Sequence, residues 1–212
     1  MSTVLAIDTS TATGRIAIAA GETVIFAREF TSQRSHNSQI FSPLESALTA
    51  CNRTLDLVAV GTGPGSYTGV RIGIATGIGI AMALDLPVIG IPSACAAAAD
   101  TSGSYTLIGD ARRGATFIAE VQGHQLAAEP GLLGDDQLRP RLADCGSPLF
   151  TYDETQFPEG VTSTHPSASK LAVQAACLDA AELGRLAGIA PQPIYLRDPF
   201  VTQPKKPGKA VP

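Results

Sequence analysis

Residues 57–85 read LVAVGTGPGSYTGVRIGIATGIGIAMALD. The first four, Leu57–Val60, form a short apolar run of the kind a buried strand uses. A turn follows at Gly61–Gly65, where three glycines and Pro64 can hold backbone angles that residues with a Cβ avoid. Ser66 or Thr68 can cap the helix that comes next. From Ile72 to Leu84 there is no charged residue. That uncharged stretch is shorter than the roughly 20 residues a membrane span needs. Gly73, Gly77 and Gly79 each cost about 1 kcal/mol of helix propensity relative to Ala, so packing must hold the helix. Gly69, Gly73 and Gly77 recur every fourth residue and form one smooth stripe. The stripe has two readings: a core helix inside one domain, or a docking face for another chain.

The turn is not a recognised phosphate cradle. A P-loop requires Gly-Lys-Ser/Thr after four spacers, and no lysine is present here. The dinucleotide fingerprint needs a third glycine where Ser66 stands. The nucleophile elbow fails because Pro64 sits two before Ser66. Anion binding at the helix N-terminus stays physically open.

The chain has 212 residues, 44% of them hydrophobic, enough for one domain or two small ones. Aromatics are 5% and tryptophan is absent, so Ala, Val, Ile and Leu do the packing. A net charge of −4 argues against a strongly basic nucleic-acid binder. Three of the four lysines, Lys205, Lys206 and Lys209, lie in the tail Pro204–Pro212, so residues 201–212 read as a disordered basic end. Cys51, Cys95, Cys145 and Cys177 are widely spaced and read as buried thiols of a reducing compartment. The N-terminus lacks a basic stretch followed by a long apolar one, so a cytoplasmic protein is expected.

Taken in order, Thr3–Ile7 reads as a strand ending in Asp8-Thr9-Ser10-Thr11, and Arg15–Ala20 and Thr23–Phe30 continue a meander. Gln33–Asn52 reads as a helix with Ile40, Leu44, Ala47, Leu48 and Cys51 on one face. His36 at its start lacks the second histidine a metal site would need. Val88–Ile91 completes a βαβ crossover parallel to Leu57–Val60, and an alanine-rich helix is predicted from Pro92 to about Asp100. Thr101–Ser104 is the best linker. The predicted domains are 1–101 and a smaller 102–200. The second contains strands Tyr105–Ile108 and Thr116–Gln122, an irregular stretch 124–148, a helix Ser167–Leu186 and a last strand Ile194–Leu196.

Candidate chemistry is thin. His36, His124 and His165 are far apart in sequence. Asp8 and Asp110 each follow an apolar strand and can face one cleft as paired carboxylates, or each can simply cap its own turn. An acidic residue at the end of a first strand, with a hydroxyl-rich turn into a hairpin, is how actin-like ATPase domains begin.

The stretch Gly63-Pro64-Gly65-Ser66-Tyr67-Thr68-Gly69-Val70-Arg71-Ile72-Gly73 resembles the signature of the TsaB (YeaZ) family. Asp8-Thr9-Ser10, Ser35-His36-Asn37-Ser38 with Pro43, Asp110-Ala111-Arg112-Arg113-Gly114 and Tyr195-Leu196-Arg197 resemble further family blocks in the right order. The family often has lysine where Thr76 stands, between Ala75 and Gly77. Residues 124–165 carry little of the pattern.

The resemblance implies an α/β, actin-like (ribonuclease H-like, ASKHA) fold of two lobes, the second reduced. It implies a non-catalytic subunit of the machinery that puts a threonylcarbamoyl group on the adenosine next to the anticodon of tRNA. Such a subunit docks onto a metal-holding, catalytic TsaD-like protein, meets a TsaE-like ATPase, and pairs with itself when alone. ATP or ADP and the metal then belong to the partner subunits, tRNA is met only through the complex, and neither a cofactor of its own nor a membrane is expected. From helical spacing, the docking face is placed on His36, Ile40, Leu44 and Leu48, and on Gly69, Arg71, Ile72, Gly73, Thr76 and Met82. A vestigial nucleotide site is placed at Asp8, Thr9, Ser10 and Asp110. The competing readings are a stand-alone ATPase or metallopeptidase-like enzyme, and a homodimeric regulator.

Overall fold

The computed structural model of the chain describes residues 2–31, 39–99, 103–154, 157 and 159–197. The chain opens with a meander: β1 (Thr3–Asp8), β2 (Thr13–Ala20) and β3 (Thr23–Thr31), each antiparallel to the one before. Helix α1 (Phe41–Ala50) follows, with Pro43 in its first turn, where a missing N–H costs nothing. Residues 33–38 of the predicted Gln33–Asn52 helix, His36 among them, lie outside the described residues.

β4 (Leu57–Gly61) then lies parallel to β1. Helix α2 (Tyr67–Leu84) crosses over, and β5 (Val88–Ile91) lies parallel to β4. The sheet order is β3-β2-β1-β4-β5. Helix α2 runs 18 residues, because the Ser66 hydroxyl caps it by accepting from the Gly69 N–H. At that length it is long and apolar enough, by composition alone, to cross a membrane, as core helices often are. Its inward face is seated on the sheet: Val70 and Ile74 join Val58 and Val60 of β4 in one buried cluster.

The helix predicted from Pro92 to Asp100 is instead a short 3-10 turn, Ser93–Ala96. The Tyr105 hydroxyl donates to the Ala94 carbonyl at 2.6 Å and accepts from the Ala97 N–H at 3.2 Å. It thereby takes backbone groups that a longer helix would have used for itself.

The second sheet starts with β6 (Tyr105–Asp110) and β7 (Ala115–Gln122), followed by β8 (Gln125–Leu126) and β9 (Gly131–Gly134). Helix α3 (Asp135–Ala143), β10 (Leu149–Thr151) and β11 (Val161–Ser163) come next. Its order is β8-β7-β6-β10-β11, with β9 also on β7. Strands β10 and β11 run parallel to β6, while β7 is antiparallel to β6 and β8 antiparallel to β7. This repeats the third-second-first-fourth-fifth order of the first sheet with shorter strands, the reduced actin-like second lobe. The stretch 124–148, expected to be irregular, therefore carries two strands and a helix. Helix α3 is held by Asp135 and Asp136 in its first turn and Arg141 in its last, matching the helix dipole, rather than by apolar periodicity.

The single helix expected over Ser167–Leu186 is two, α4 (Ala168–Ala176) and α5 (Ala180–Ala187). They part because the Asp179 side chain caps a new start by accepting from the Glu182 N–H. Ile194–Leu196 is not a strand. Ile194 makes one ladder-like bond, its N–H to the Thr62 carbonyl at 2.9 Å.

Helix α4 sits in the largest core cluster, which takes in residues of both sheets: Val4, Ala6, Ala17 and Ala59 from the first, Tyr105, Leu107, Phe117 and Phe150 from the second. Leu171 is fully buried in it. Leu171→Ala is expected to cost about 2–5 kcal/mol, read as a lowered melting temperature by circular dichroism. A melting temperature at the wild-type value would show that α4 does not knit the two sheets.

Candidate functional site

The first strand delivers Asp8, Thr9 and Ser10 into the interior, where all three are buried. Asp8 Oδ1 accepts from the Ser10 N–H at 2.9 Å and from the Ser10 hydroxyl at 2.7 Å. Its Oδ2 has no hydrogen-bond partner among the described residues. The Thr9 hydroxyl donates to the Gly69 carbonyl at 2.7 Å, and the Ser66 N–H donates to the Ser10 carbonyl at 2.7 Å. Over this turn lies the glycine loop. Gly63 stands at φ +88°, a left-handed angle that suits glycine, and its N–H donates to the Ser93 hydroxyl at 3.0 Å. Across the gap between the sheets, the Tyr152 hydroxyl donates to the Ser93 carbonyl at 2.9 Å. Burial, with lesser contributions from Tyr105, Asp8 and Cys95, pushes the Tyr152 phenol well above its ordinary range.

These contacts bear on whether the turn fits a nucleotide and its metal. Of the groups that would meet phosphate, the Thr9 hydroxyl is spent on Gly69 and the Ser10 hydroxyl on Asp8. A side chain at Gly65 or Gly69 would run into the carbonyls of Ser10 or Thr9, so the loop backbone already fills the space above the turn. Among the described residues Asp8 Oδ2 is left without a donor, and it faces Gly61 and Ser93 in the interior. The residues present do not fit the group.

Asp110, expected to share a cleft with Asp8, is half-exposed at the end of β6. It accepts from the Arg112 N–H at 2.7 Å, and its own N–H donates to Asp153. Burial, with the neighbouring Asp110 charge adding to it, raises the Asp153 pKa against the hydrogen bond from the Asp110 N–H and the Arg112 charge, which lower it. Neither Asp8 nor Asp110 lines the two cavities, of about 180 and 320 Å³, that flank Arg15 and Cys145.

The residues placed on a docking face divide into two groups. Ile40 is 1% exposed and Leu44 7%, packed with Leu5, Ile7, Ile16 and Ile18 under the first sheet; Leu48 is partly buried against the same cluster. Gly69 and Gly73 are buried, and a methyl at either would meet Thr9, while one at Gly77 would meet Val60. The smooth stripe thus lets this chain's own turn and β4 approach closely, and it is not free for another helix. Ile40, Leu44, Gly69 and Gly73 belong to the core because they sit on the sheet-facing side of their helices.

The outward side keeps Arg71, Ile72, Thr76 and Met82, with Met82 78% exposed. It adds residues that helical spacing missed: Tyr67 at 52% and Phe41 at 62% exposed, and Leu84. Tyr67 carries the Arg71 guanidinium 5.2 Å from its ring centroid, and Tyr195 packs at 5.5 Å on the same ring. Aromatic and arginine side chains of this kind anchor protein interfaces. For Tyr67 the signal that could have found it is the outward phase of α2, on the side opposite the glycines.

The cysteines are not uniformly buried: Cys51 and Cys95 are, Cys145 is partly exposed and Cys177 exposed. Burial pushes the Cys95 thiol up to about 12. Burial acts the same way on Cys145, but bonds with Ser147 and Thr106 and the Arg141 charge outweigh it and lower its pKa. Iodoacetamide at neutral pH is expected to label Cys145 in the folded protein at least ~100-fold faster than Cys95, read by peptide mass spectrometry; equal rates would contradict the assigned burial.

A family model described as TsaD, tRNA N6-adenosine threonylcarbamoyltransferase, matches residues 25–140, more than half of the chain. The Bacillus subtilis tRNA threonylcarbamoyladenosine biosynthesis protein TsaB is 36% identical over 126 residues, covering 57% of this chain and 55% of that protein. The Escherichia coli protein of the same description is 32% identical over 147 residues, 66% of this chain and 63% of that one. An uncharacterised Mycobacterium leprae protein is 33% identical over 159 residues, which are 70% of this chain and 44% of that protein. The alignments thus span about half the length of these relatives. Among solved structures, a Pseudomonas aeruginosa protein described as similar to peptidase YEAZ superposes with a TM-score of 0.71 at 25% identity, covering 93% of this chain and all of that one. YeaZ from the same organism gives 0.66 at 26%, covering 92% of this chain and all of that one. With its glycine-rich signature seated on the Asp8 turn and both sheets in actin-like order, the chain belongs to the TsaB (YeaZ) family.

Proposed function

We infer that this chain is a non-catalytic subunit of the machinery that builds threonylcarbamoyladenosine in tRNA, and that it docks onto a TsaD-like catalytic protein through the outward face of α2 and the start of α1. The observation that carries the reading is that face. Between Ile72 and Leu84 α2 has no charge; it exposes Met82 and, in its first turn, Tyr67, and Phe41 is exposed at the start of α1. Exposed large apolar side chains on a helix with so little charge suit a surface that another protein covers. The family's description supplies the chemistry of the complex. The Asp8 turn, with its hydroxyls spent internally, supports assigning nucleotide and metal to the partner subunits, a TsaE-like ATPase among them.

The test is reconstitution of tRNA modification with the TsaD-like and TsaE-like proteins of the same organism, cytoplasmic partners on this reading. Threonylcarbamoyladenosine, measured by nucleoside mass spectrometry, is expected only when this chain is present, and none from this chain alone. Modification at full rate without the chain would end the subunit reading. Product from the chain alone, or ATP turnover by it that Asp8→Ala abolishes, would favour a stand-alone enzyme. A homodimer that never exchanges for the partner would favour the regulator reading.

A further inference from the structure

We propose that the turn Asp8–Ser10, placed where an actin-like fold meets phosphate, here serves as the seat of α2, and that Thr9 is the residue that positions the docking face. The inference rests on the docking reading above. Four contacts converge on the turn from the loop and first turns of α2. The Thr9 hydroxyl holds the Gly69 carbonyl and the Ser10 carbonyl holds the Ser66 N–H, each at 2.7 Å. The Cα atoms of Gly69 and Gly73 rest against the Thr9 carbonyl and hydroxyl, with no room for a methyl at either.

Geometry explains why the helix needs such a seat. Its glycines weaken it intrinsically. The Thr9 bond is buried, and losing it removes the side-chain tie between the turn after β1 and the Gly69 carbonyl of α2. Ser66 caps the helix locally, but that bond lies within α2 and cannot fix where the helix sits on the sheet. The bonds from Thr9 and Ser10 run from β1 to α2 and can. Tyr67 and Arg71 stand two residues before Gly69 and Gly73, on the opposite side of the same rigid helix, so a shift of the seat moves the outward face with it. The orphaned Asp8 Oδ2 belongs to the same arrangement: its partner oxygen clamps Ser10, and the loop closes over both.

The experiment compares Thr9→Val, which removes the hydroxyl at nearly constant volume, with Thr9→Ser, which restores it. Hydrogen exchange is followed in the isolated chain, and affinity for the TsaD-like partner by calorimetry. Thr9→Val is expected to speed amide exchange over residues 67–84 at least tenfold while β6 and β7 keep theirs, and to weaken the partner at least tenfold. Thr9→Ser returns both to wild type. Val121→Ala, a fully buried truncation in the second sheet, serves as the control for stability lost elsewhere and keeps wild-type affinity. Thr9→Ala carries the same expectation should the valine variant not fold. The proposal is overturned if Thr9→Val leaves exchange over 67–84 unchanged, or if Val121→Ala weakens the partner as much. It is also overturned if MgATP raises the wild-type melting temperature and Asp8→Asn removes the rise. If wild type forms no complex at all, the docking reading fails by itself, and the exchange data still decide the seat.

Discussion

Replacing Gly73 by leucine is expected to destabilise the first lobe strongly. A Cβ at this position runs into the Thr9 hydroxyl, and Ile7 closes the space behind it. Leucine adds three further carbons in a place already filled. Overpacking of a well-packed site costs about 1–3 kcal/mol, and the displaced Thr9 hydroxyl, buried and without its acceptor, costs about 1–3 kcal/mol more. At roughly 2–4 °C per kcal/mol for a chain of this size, the melting temperature is expected to fall by about 10 °C or more. Calorimetry checks it, and a melting temperature within about 2 °C of wild type would show that α2 can lift off its seat freely. Loss of a partner in this variant therefore reports on the fold and says nothing of the interface.

Met82→Glu is the informative contrast. The side chain is 78% exposed, so the change is expected to leave stability within about 0.5 kcal/mol. A carboxylate buried in the middle of an apolar contact must be stripped of water with nothing to pair it. Truncating or charging such an anchor commonly costs 2 kcal/mol or more, so affinity for the TsaD-like protein is expected to fall roughly 100-fold. Unchanged affinity would move the interface off α2. Stability and binding thus separate on opposite sides of one helix: Gly73 inside, Met82 outside.

Much of this was legible in residues 57–85. The strand, the tight turn, the Ser66 cap and the crossover to β5 all follow from local chemistry, since period, glycines and caps act within a few residues. The phase of the glycine stripe was not legible. A row of small residues looks the same whether β1 or a foreign helix lies against it, and only the Thr9 and Val60 contacts decide. Ile40 and Leu44 show the same limit, because an apolar helical face names no partner and here the partner is the chain's own sheet. In the second sheet the strands are short, two to four residues in β8 to β11, too brief for a period to register. Helix α3 is built on charges and the short turn at Ser93 on a distant tyrosine hydroxyl, so neither left a local pattern. Asp8 and Asp110 were both visible as strand-end carboxylates. Their different surroundings, one sealed in the core and one half-exposed beside Arg112, came only from the fold.

The most direct measurement is light scattering after gel filtration of this chain, alone and mixed with the TsaD-like protein of the same organism. The expected result is a mixed species whose mass is the sum of one copy of each, lost in Met82→Glu and kept in a variant of the second sheet such as Val121→Ala. Separate elution of the two proteins, with and without MgATP, would contradict the claim that the outward face of α2 is where this chain does its work.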